Sequence, residues 1–412
     1  MSFAPNAADD KNGRMHPKHY DALLLASFGG PEGQDDVLPF LRNVTRGRGI
    51  PDERLEEVAT HYRANSGVSP INAQNRALKA AIEAELADRG IELPVYWGNR
   101  NWDPYIPETL QEIYDAGHRK ILVLTTSAYS CYSSCRQYRE DLGVALQSTG
   151  LEGKLEVDKI RQYFDHPGFV EPFHNGVVAG IKDVVAQLQA RNENPDGAIH
   201  VLFATHSIPT SDAEAAGPRD LAAELKASLG DDVNTNNVYA AQHMAVAEEI
   251  FKRLSPAELG LTEKPAWSLV FQSRSGSPHT PWLEPDINDA IEELAGAGTK
   301  GVVVVPLGFV SDHMEVIWDL DTEAKETAEE QSLAFARTPT PGTDAAFVTG
   351  IVDLICERHD VQHQSEQKAE TLLGPWFDVC RPECCVKIMR DGTQRPTIGA
   401  LDSSVRSTLV KE

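Results

Sequence analysis

Histidine and acidic side chains directly follow two apolar segments of this sequence, and their types suit proton transfer and metal binding. His206 ends the first segment, in the sequence FATHSIP, and His313 and Glu315 follow the second, in the sequence GFVSDHME. A neutral imidazole can accept a proton or bind a metal ion, and a carboxylate can do the same. A second interpretation of His206 stays open, because a histidine at the end of a strand can simply form a hydrogen bond with the following loop.

Acidic residues continue beyond Glu315 at a spacing of four, with Asp319 and Glu323 next along the chain. Positions 311–330 contain eight acidic residues and one lysine, which gives a net charge of −7. Like charges four residues apart on an exposed helix repel by roughly a few tenths of a kcal/mol per pair, so the arrangement needs a compensating cause. A solvated face explains the acids from position 326 onward. A divalent cation entering while protons leave explains Glu315, Asp319 and Glu323.

Apolar segments of strand length alternate with amphipathic segments of helix length through most of the chain. The predicted strands are 22–28, 95–98, 121–126, 200–204, 268–272, 301–306 and 333–336. The predicted helices are 35–44, 75–90, 108–116, 220–229, 241–254, 284–294, 312–330 and 343–357. Near-continuous apolar strands separated by helices are typical of parallel sheets that are covered on both faces. The sequence therefore predicts an α/β fold with two doubly wound, Rossmann-like halves.

The predicted strand ends locate the candidate site, because ligands of such folds bind beyond the carboxyl ends of the strands. The junctions that qualify are 28–32, 98–104, 127–135, 205–209 and 308–315. We expect a disordered extension at 1–19, a first domain at 20–175 and a second domain at 176–342. The remaining segment, 343–412, is expected to form a helix and a cysteine-rich tail that packs back on the first domain.

Composition excludes several classes of function. The 412 residues include 62 acidic and 38 basic side chains, a net charge of −24, which argues against binding to nucleic acid or to anionic lipid. We find no apolar run of membrane-spanning length and no signal peptide, so a cytoplasmic protein is expected. The sequence also lacks GxGxxG, GxxxxGK[ST], HExxH and GxSxG motifs, which argues against a dinucleotide enzyme, a P-loop protein, a zinc protease and a serine hydrolase.

Six cysteines are unevenly distributed along the chain. They are Cys131, Cys135, Cys356, Cys380, Cys384 and Cys385. Disulfides are disfavoured in a cytosolic protein, where clustered cysteines more often bind metal. Cys356 lies within a predicted helix and is interpreted as a buried core thiol.

Five separated segments resemble the motifs of the ferrochelatase family. They read LASFGGPE at 25–32, GVSPI at 67–71, ATHSIP at 204–209, QSRSG at 272–276 and FVSDHME at 309–315. The resemblance covers roughly residues 20–360 and is strongest to the actinobacterial type. It implies two Rossmann-like domains around a porphyrin cleft and the insertion of Fe(II) into the porphyrin. The actinobacterial type further implies coproporphyrin III as substrate and Fe-coproporphyrin III as product, in haem b biosynthesis.

Alternative functions stay open beside this one. Protoporphyrin IX is the alternative substrate. A non-catalytic tetrapyrrole or metal carrier is an alternative on the same fold, although a carrier would not need His206 and Glu315 together. A cobalt or nickel chelatase is disfavoured by the residue sequences of the two motifs that contain His206 and Glu315. The family also leaves room for a transient partner enzyme of the haem pathway.

The resemblance implies a role for each candidate residue of the metal site. His206 would accept pyrrole protons, ligate the iron, or both, and Glu315 would face it across the macrocycle. His313, Asp319 and Glu323 would form an outer relay.

Porphyrin contacts are implied at Ser69, Tyr138, Arg46, Arg48, Phe28 and His61. Arg42, Arg46 and Arg48 form an island of positive charge, and guanidinium groups match the propionate carboxylates of a porphyrin. A solvated basic loop is the alternative interpretation of this island. Two positions depart from relatives in firmicutes, which carry a tyrosine in place of Phe28 and an arginine in place of His61. Those relatives also have a histidine near Asn101.

The resemblance finally implies a [2Fe–2S] cluster. Its ligands would be Cys380, Cys384, Cys385 and either Cys135 or Cys131, of which Cys135 is preferred. Four thiolates are the ordinary ligand set of such a cluster. Zinc is the alternative, because four cysteines also suit a zinc ion.

Overall fold

The computed structural model describes residues 15–47, 49–275, 279–359, 366–387, 392–401 and 404. The strands are β1 (Ala22–Ser27), β2 (Val95–Asn99), β3 (Lys120–Thr125), β4 (Glu156–Lys159), β5 (Ile199–His206), β6 (Ala266–Gln272), β7 (Gly301–Val305) and β8 (Ala334–Arg337). The helices are α1 (Val37–Val44), α2 (Asp52–Ala64), α3 (Ile71–Asp88), α4 (Ile106–Asp115), α5 (Gln137–Ser148), α6 (Pro167–Ala190), α7 (Thr210–Glu214), α8 (Arg219–Leu229), α9 (Val238–Arg253), α10 (Pro256–Leu259), α11 (Ile287–Gly296), α12 (Met314–Val316), α13 (Ala324–Glu330) and α14 (Ala345–Arg358). Two π-helical segments, Tyr132–Arg136 and Ile317–Glu323, precede α5 and α13.

The strands of the described residues form two four-stranded parallel sheets. Their orders are β2-β1-β3-β4 and β6-β5-β7-β8, so both halves have the same winding. The central strands are buried along their whole length, as expected for sheets that are covered on both faces. The predicted α/β fold with two Rossmann-like halves is therefore confirmed.

Six elements were not predicted from the sequence, namely α2, α5, β4, α6, α7 and α10. The long helix α6 lies in the segment where the two halves were expected to meet, and it packs on β7, β8, α9 and α14. Its Pro172 lies inside the helix and Pro167 begins it, and these prolines hid the helix in the sequence. None of the helices in the described part of the chain has the length and apolar character that a membrane span requires.

The helix predicted over 312–330 is not α-helical throughout, since its middle is the π-helical segment Ile317–Glu323. An α-helix has about 3.6 residues per turn, so a strict four-residue repeat drifts around it. A π-helical turn contains more residues, because its hydrogen bonds run from i to i+5. The wider turn therefore keeps residues that are spaced by four positions on one face of the helix. The buried residues on that face are Val316, Leu320, Ala324 and Ala328.

The C-terminal tail contacts both halves of the molecule. Trp376 donates its backbone N–H to Asp165 Oδ2 at 2.8 Å, on the connection to α6. Lys387 pairs with Asp212 of α7 at 2.6 Å, and Arg381 pairs with Asp220 of α8. The tail thereby connects the two halves, although it is distant from both sheets in the sequence.

Candidate functional site

The candidate site lies where neighbouring strands of the second sheet end. His206 is the last residue of β5 and stands opposite Gln272, the last residue of β6. On the other side of β5, Val305 of β7 stands opposite Phe203. Parallel strands end at the same edge, so the loop after β7 delivers Glu315 to His206. The sequence motifs at these strand ends are thus brought together as predicted.

His206 and Glu315 face each other directly. His206 Nε2 lies 3.6 Å from Glu315 Oε2, and the two side chains are 33% and 53% exposed. His206 Nδ1 is bonded to the carbonyl oxygen of Ser207. Because a carbonyl only accepts, Nδ1 must carry the hydrogen, and Nε2 presents its lone pair toward Glu315. This tautomer leaves Nε2 free to accept a proton or to bind a metal ion.

Their separation leaves no room for a macrocycle between the two side chains as they stand. A ring plane between them would need contact distances of about 3.5 Å on each side. The observed 3.6 Å is about half of that total. In this structure His206 and Glu315 therefore approach from the same face, where both can serve one metal ion.

Charges around the pair set its protonation. Burial lowers the pKa of His206, but the hydrogen bond and the charge of Glu315 outweigh it, so this pKa is raised. His313 precedes α12 and packs on Phe309 with ring centroids 5.2 Å apart. Its pKa is lowered by burial and by the nearby His206, against the attraction of Glu315. His313 is therefore the imidazole that stays neutral more readily.

Asp319 is the second member of the series Glu315, Asp319 and Glu323, which we call the acidic column. It accepts hydrogen bonds from Ser273 Oγ and, at 3.3 Å, from Gln272 Nε2. Burial raises the pKa of Asp319 to about 7, an effect that the Ser273 hydrogen bond opposes and the charges of Glu315 and Glu323 increase. Ser273 adopts a left-handed conformation with φ +61°, which costs about 1–2 kcal/mol. The site thus contains a carboxyl group that exchanges protons near neutral pH.

The column ends at the protein surface beside an aromatic pair. Glu323 is exposed and accepts a hydrogen bond from Trp318 Nε1 at 2.8 Å. The Trp318 indole stacks on His61 of α2, with centroids 4.0 Å apart and planes at 7°. His61 therefore meets the acidic column from the other half of the molecule.

An apolar cluster between the halves surrounds Phe28. Phe28 packs edge-on against Phe40 at 6.3 Å, and Met314, next to Glu315, belongs to the same cluster. Tyr62 is buried there, and its pKa is raised by burial and by the charges of Glu315 and Asp319. The cluster provides an apolar wall beside the pair of His206 and Glu315, which is the lining that an aromatic ligand requires.

The remaining predicted porphyrin contacts are dispersed. Ser69 is buried, and its N–H bonds to the carbonyl oxygen of Pro31 at 2.9 Å. Tyr138 is buried in the core of the first half. Arg46 bonds to Asn43 at 2.5 Å on the surface, and Arg48 lies outside the described residues.

Arg100 is a candidate that the sequence interpretation missed. Its guanidinium lies 5.8 Å from the Phe28 ring and 4.6 Å from the Tyr138 ring, and it pairs with Asp141 at 2.5 Å. Backbone bonding of Arg100 to Ser27 continues the β1–β2 pairing beyond both strands. Its place directly after a predicted strand was the available signal.

Four buried cysteines come together behind the site, where the tail meets the first half. They are Cys135, Cys380, Cys384 and Cys385. Cys131 lies in a different cluster, and its sulfur accepts a hydrogen bond from the N–H of Ser134 at 3.4 Å. No group of three or more histidine, cysteine, aspartate or glutamate side chains within the described ranges has the geometry of a metal site.

Two buried cations border these thiols. Arg139 donates to the carbonyl oxygen of Cys384 at 3.2 Å, and its Nε has no hydrogen-bond partner among the described atoms. Burial lowers the pKa of Arg139, but the charges of the four thiols outweigh it and raise this pKa. Lys159 is also buried, which lowers its pKa while Cys135 and Cys380 oppose the shift. The sulfurs are therefore the main negative groups that face Arg139.

Comparison with known proteins identifies the family of this chain. A sequence profile described as Ferrochelatase matches residues 20–359. The coproporphyrin III ferrochelatase of Leifsonia xyli subsp. xyli is 56% identical over 390 residues, which cover 94% of this chain and 96% of that protein. Proteins of the same name from Tropheryma whipplei and Streptomyces griseus are each 52% identical, over 96% and 90% of this chain and 95% and 94% of theirs. The chain therefore belongs to the ferrochelatase family.

Proposed function

We propose that this protein inserts Fe(II) into coproporphyrin III and releases Fe-coproporphyrin III and two protons. The observation that carries the proposal is the facing pair of His206 and Glu315, 3.6 Å apart at the edge of the second sheet. The relatives named above support coproporphyrin III as the substrate. The apolar wall around Phe28 supports a flat, aromatic ligand beside that pair.

The chemistry needs a base and a metal ligand on one face of the macrocycle. Each pyrrole N–H bond breaks as an Fe–N bond forms, and the pyrrole nitrogen keeps the electron pair. His206 accepts a pyrrole proton at Nε2, and the Glu315 carboxylate presents Fe(II) to the ring. Imidazole nitrogen and carboxylate oxygen both suit ferrous iron, and both must be deprotonated to bind it.

Protons leave along the acidic column in this proposal. Asp319, whose pKa is about 7, gains and loses a proton near neutral pH. Glu323 is exposed and passes protons to water. His313, the residue before α12, lies close to His206 and Glu315 and stays neutral because it is buried.

Substitution of the two facing residues tests the assignment. We expect His206→Ala and Glu315→Gln each to slow anaerobic Fe(II) insertion by about 100-fold or more, the size of a lost general base. Coproporphyrin binding, followed by fluorescence quenching, should persist in both. Glu326→Gln, an exposed change on the same helix, is the control and should insert iron normally. Unchanged turnover in either test variant would refute the roles given to these residues.

Substrate choice is tested by comparing coproporphyrin III with protoporphyrin IX under the same anaerobic conditions. Faster turnover of protoporphyrin IX would replace coproporphyrin III as the substrate. A wild-type protein that binds porphyrin tightly but inserts no iron would instead favour the carrier function.

We further propose that Cys135, Cys380, Cys384 and Cys385 hold a [2Fe–2S] cluster. The four thiols are buried together, and the neighbouring Arg139 has an orphaned Nε. A buried cation is costly unless it is paired, and four thiolates around an iron–sulfur group provide that negative charge. Gly217 N–H already points to Cys385 Sγ at 3.1 Å, as a donor to a cluster ligand would. When bound, the cluster supplies a redox-active group that ties the tail to both halves.

Metal analysis of anaerobically purified protein tests this ligand set. We expect stoichiometric iron and acid-labile sulfide with visible charge-transfer absorption, all lost in Cys385→Ser. Cys356→Ser changes a buried cysteine in α14 and serves as the control that keeps the absorption. Zinc without sulfide would identify the alternative metal, and Cys131→Ser abolishing the absorption would exchange Cys135 for Cys131.

A further inference from the structure

Three buried side chains form a hydrogen-bonded group directly behind His206. Thr205 precedes His206 on β5, and Tyr239 and His243 lie one turn apart on α9. Thr205 Oγ1 lies 2.7 Å from Tyr239 Oη and 3.0 Å from His243 Nε2. Tyr239 Oη also donates to the main-chain oxygen of His206, at 3.0 Å. The group therefore connects α9 to the backbone of His206.

The acceptors in this group fix the direction of its hydrogen bonds. His243 Nδ1 lies 2.7 Å from the carbonyl oxygen of Tyr239, which can only accept, so Nδ1 carries a hydrogen. Burial lowers the pKa of His243 to about 3 despite that bond, so its ring is neutral and Nε2 accepts from Thr205. Thr205 Oγ1 must then accept from Tyr239, whose single hydrogen serves both Thr205 and the carbonyl of His206.

This arrangement fixes the backbone that directly follows the His206 side chain. The His206 carbonyl is held by Tyr239, and the Ser207 carbonyl receives the imidazole Nδ1–H. Ser207 N–H is held in turn by the main-chain oxygen of Gln272 at 2.8 Å. Loss of the Tyr239 hydroxyl would leave the peptide group between His206 and Ser207 held only through Ser207 N–H, one residue before the carbonyl that sets the imidazole tautomer.

The same threonine also contacts the loop that carries Glu315. A Cβ atom on Gly308 would lie 2.1 Å from Thr205 Oγ1, so only glycine allows this approach. Gly308 N–H bonds to the main-chain oxygen of Ala204 at 3.1 Å. Thr205 therefore lies between α9 on one side and the start of the Glu315 loop on the other.

We propose that Thr205, Tyr239 and His243 are positioning residues. They hold His206 Nε2 in the position relative to Glu315 that insertion of iron requires. This inference rests on the proposed role of His206 in metal insertion. Partners that orient a metal-binding histidine typically change metal affinity or activity by about 10- to 100-fold when removed. Because the group lies behind His206 and away from the apolar wall, its loss should change the kinetics with Fe(II) and not the KM for the porphyrin.

Steady-state kinetics with Fe(II) and coproporphyrin III varied separately test the proposal. We expect Tyr239→Phe and Thr205→Val to raise the KM for Fe(II), or lower kcat, by about tenfold, with the KM for coproporphyrin III unchanged. Thr205→Ser keeps the hydroxyl and should restore wild-type values. Tyr163→Phe is the matched control, because Tyr163 is also buried and donates to a main-chain oxygen at a strand end, that of Thr125, at 2.7 Å.

The outcomes separate this inference from the function beneath it. Wild-type kinetics in both Tyr239→Phe and Thr205→Val, with His206→Ala inactive, would overturn the positioning role alone. An active His206→Ala would instead refute the proposed function. Equal losses in Tyr163→Phe and Tyr239→Phe, or failure of Thr205→Ser to restore activity, would show a general packing effect and also overturn the inference. Circular dichroism and porphyrin binding establish that each variant is folded.

Discussion

Replacing Ser273 with alanine removes the hydroxyl that donates a hydrogen bond to Asp319 Oδ2. That bond stabilises the ionised carboxylate and opposes the effect of burial, which raises the pKa of Asp319 to about 7. Without it the pKa must rise further. A hydrogen bond to a charged group contributes about 1.5–3 kcal/mol, and one pKa unit corresponds to about 1.4 kcal/mol. The expected rise is therefore about one to two units.

Replacing Glu323 with glutamine moves the same pKa in the opposite direction. Glu323 raises the pKa of Asp319 through its charge, so the neutral variant should lower it. Glu323 is exposed, and salt screens such a charge, so the expected fall is roughly a few tenths of a unit. Glutamine keeps an oxygen that accepts from Trp318, which leaves that contact in place.

The assay is the pH dependence of anaerobic iron insertion at saturating substrates. Asp319 accepts protons only when ionised, so the acidic limb of the profile should follow its pKa. We expect this limb to move to higher pH in Ser273→Ala and slightly to lower pH in Glu323→Gln. Ser275→Ala, an exposed serine in the same loop, and Glu326→Gln are the matched controls.

Infrared difference spectroscopy of the protonated carboxyl band measures the Asp319 pKa without turnover, with Asp319→Asn identifying the band. An acidic limb of the activity profile that keeps its wild-type pH in both test variants, or that moves in the same direction in both, would refute the reasoning. A carboxyl band that titrates as expected while the activity profile stays fixed would remove Asp319 from the proton path.

Two further changes test the packing of the site. Gly308→Ala should destabilise the fold by about 1–3 kcal/mol through overpacking and slow iron insertion, because the new Cβ would lie 2.1 Å from Thr205 Oγ1; denaturant unfolding measures this, and Gly33→Ala, with open space around it, should change little. Asp319→Asn should slow insertion yet stabilise the fold, since a pKa raised from 3.8 to about 7 makes stability fall as pH rises between those values. The gain should reach at most about 4 kcal/mol above neutral pH and vanish near the unfolded pKa, and an equal gain in melting temperature at all pH values would contradict it.

The strand ends of the site followed from the sequence, but the contacts between distant segments did not. Each strand-end motif was local, and parallel pairing alone placed His206 beside the loop of Glu315. The charged strand β4 was missed because its buried Glu156 and Asp158 pair with Lys18, and Asp158 also with Tyr20 and Arg358, all far away in the chain. No local pattern contains that information.

The short distance between His206 and Glu315 was also not predicted, because the family resemblance placed Glu315 across a macrocycle from His206. The π-helical segment was not predicted either. Val316, Leu320, Ala324 and Ala328 repeat strictly at four residues, and on a straight α-helix this repeat drifts by about 40° at each step.

The structure sorts the acidic run into two sets with different partners. Asp312 and Asp321 pair with Arg337 at 2.9 and 3.0 Å, so this arginine offsets one of the negative charges counted over positions 311–330. The column at Glu315, Asp319 and Glu323 instead points along the path between His206 and the surface. Exposure then distinguishes the members of this column, because Glu315 and Glu323 are exposed whereas burial brings the pKa of Asp319 close to neutrality. A less exposed carboxyl between two exposed ones is therefore sufficient to separate attraction of a cation from transfer of a proton.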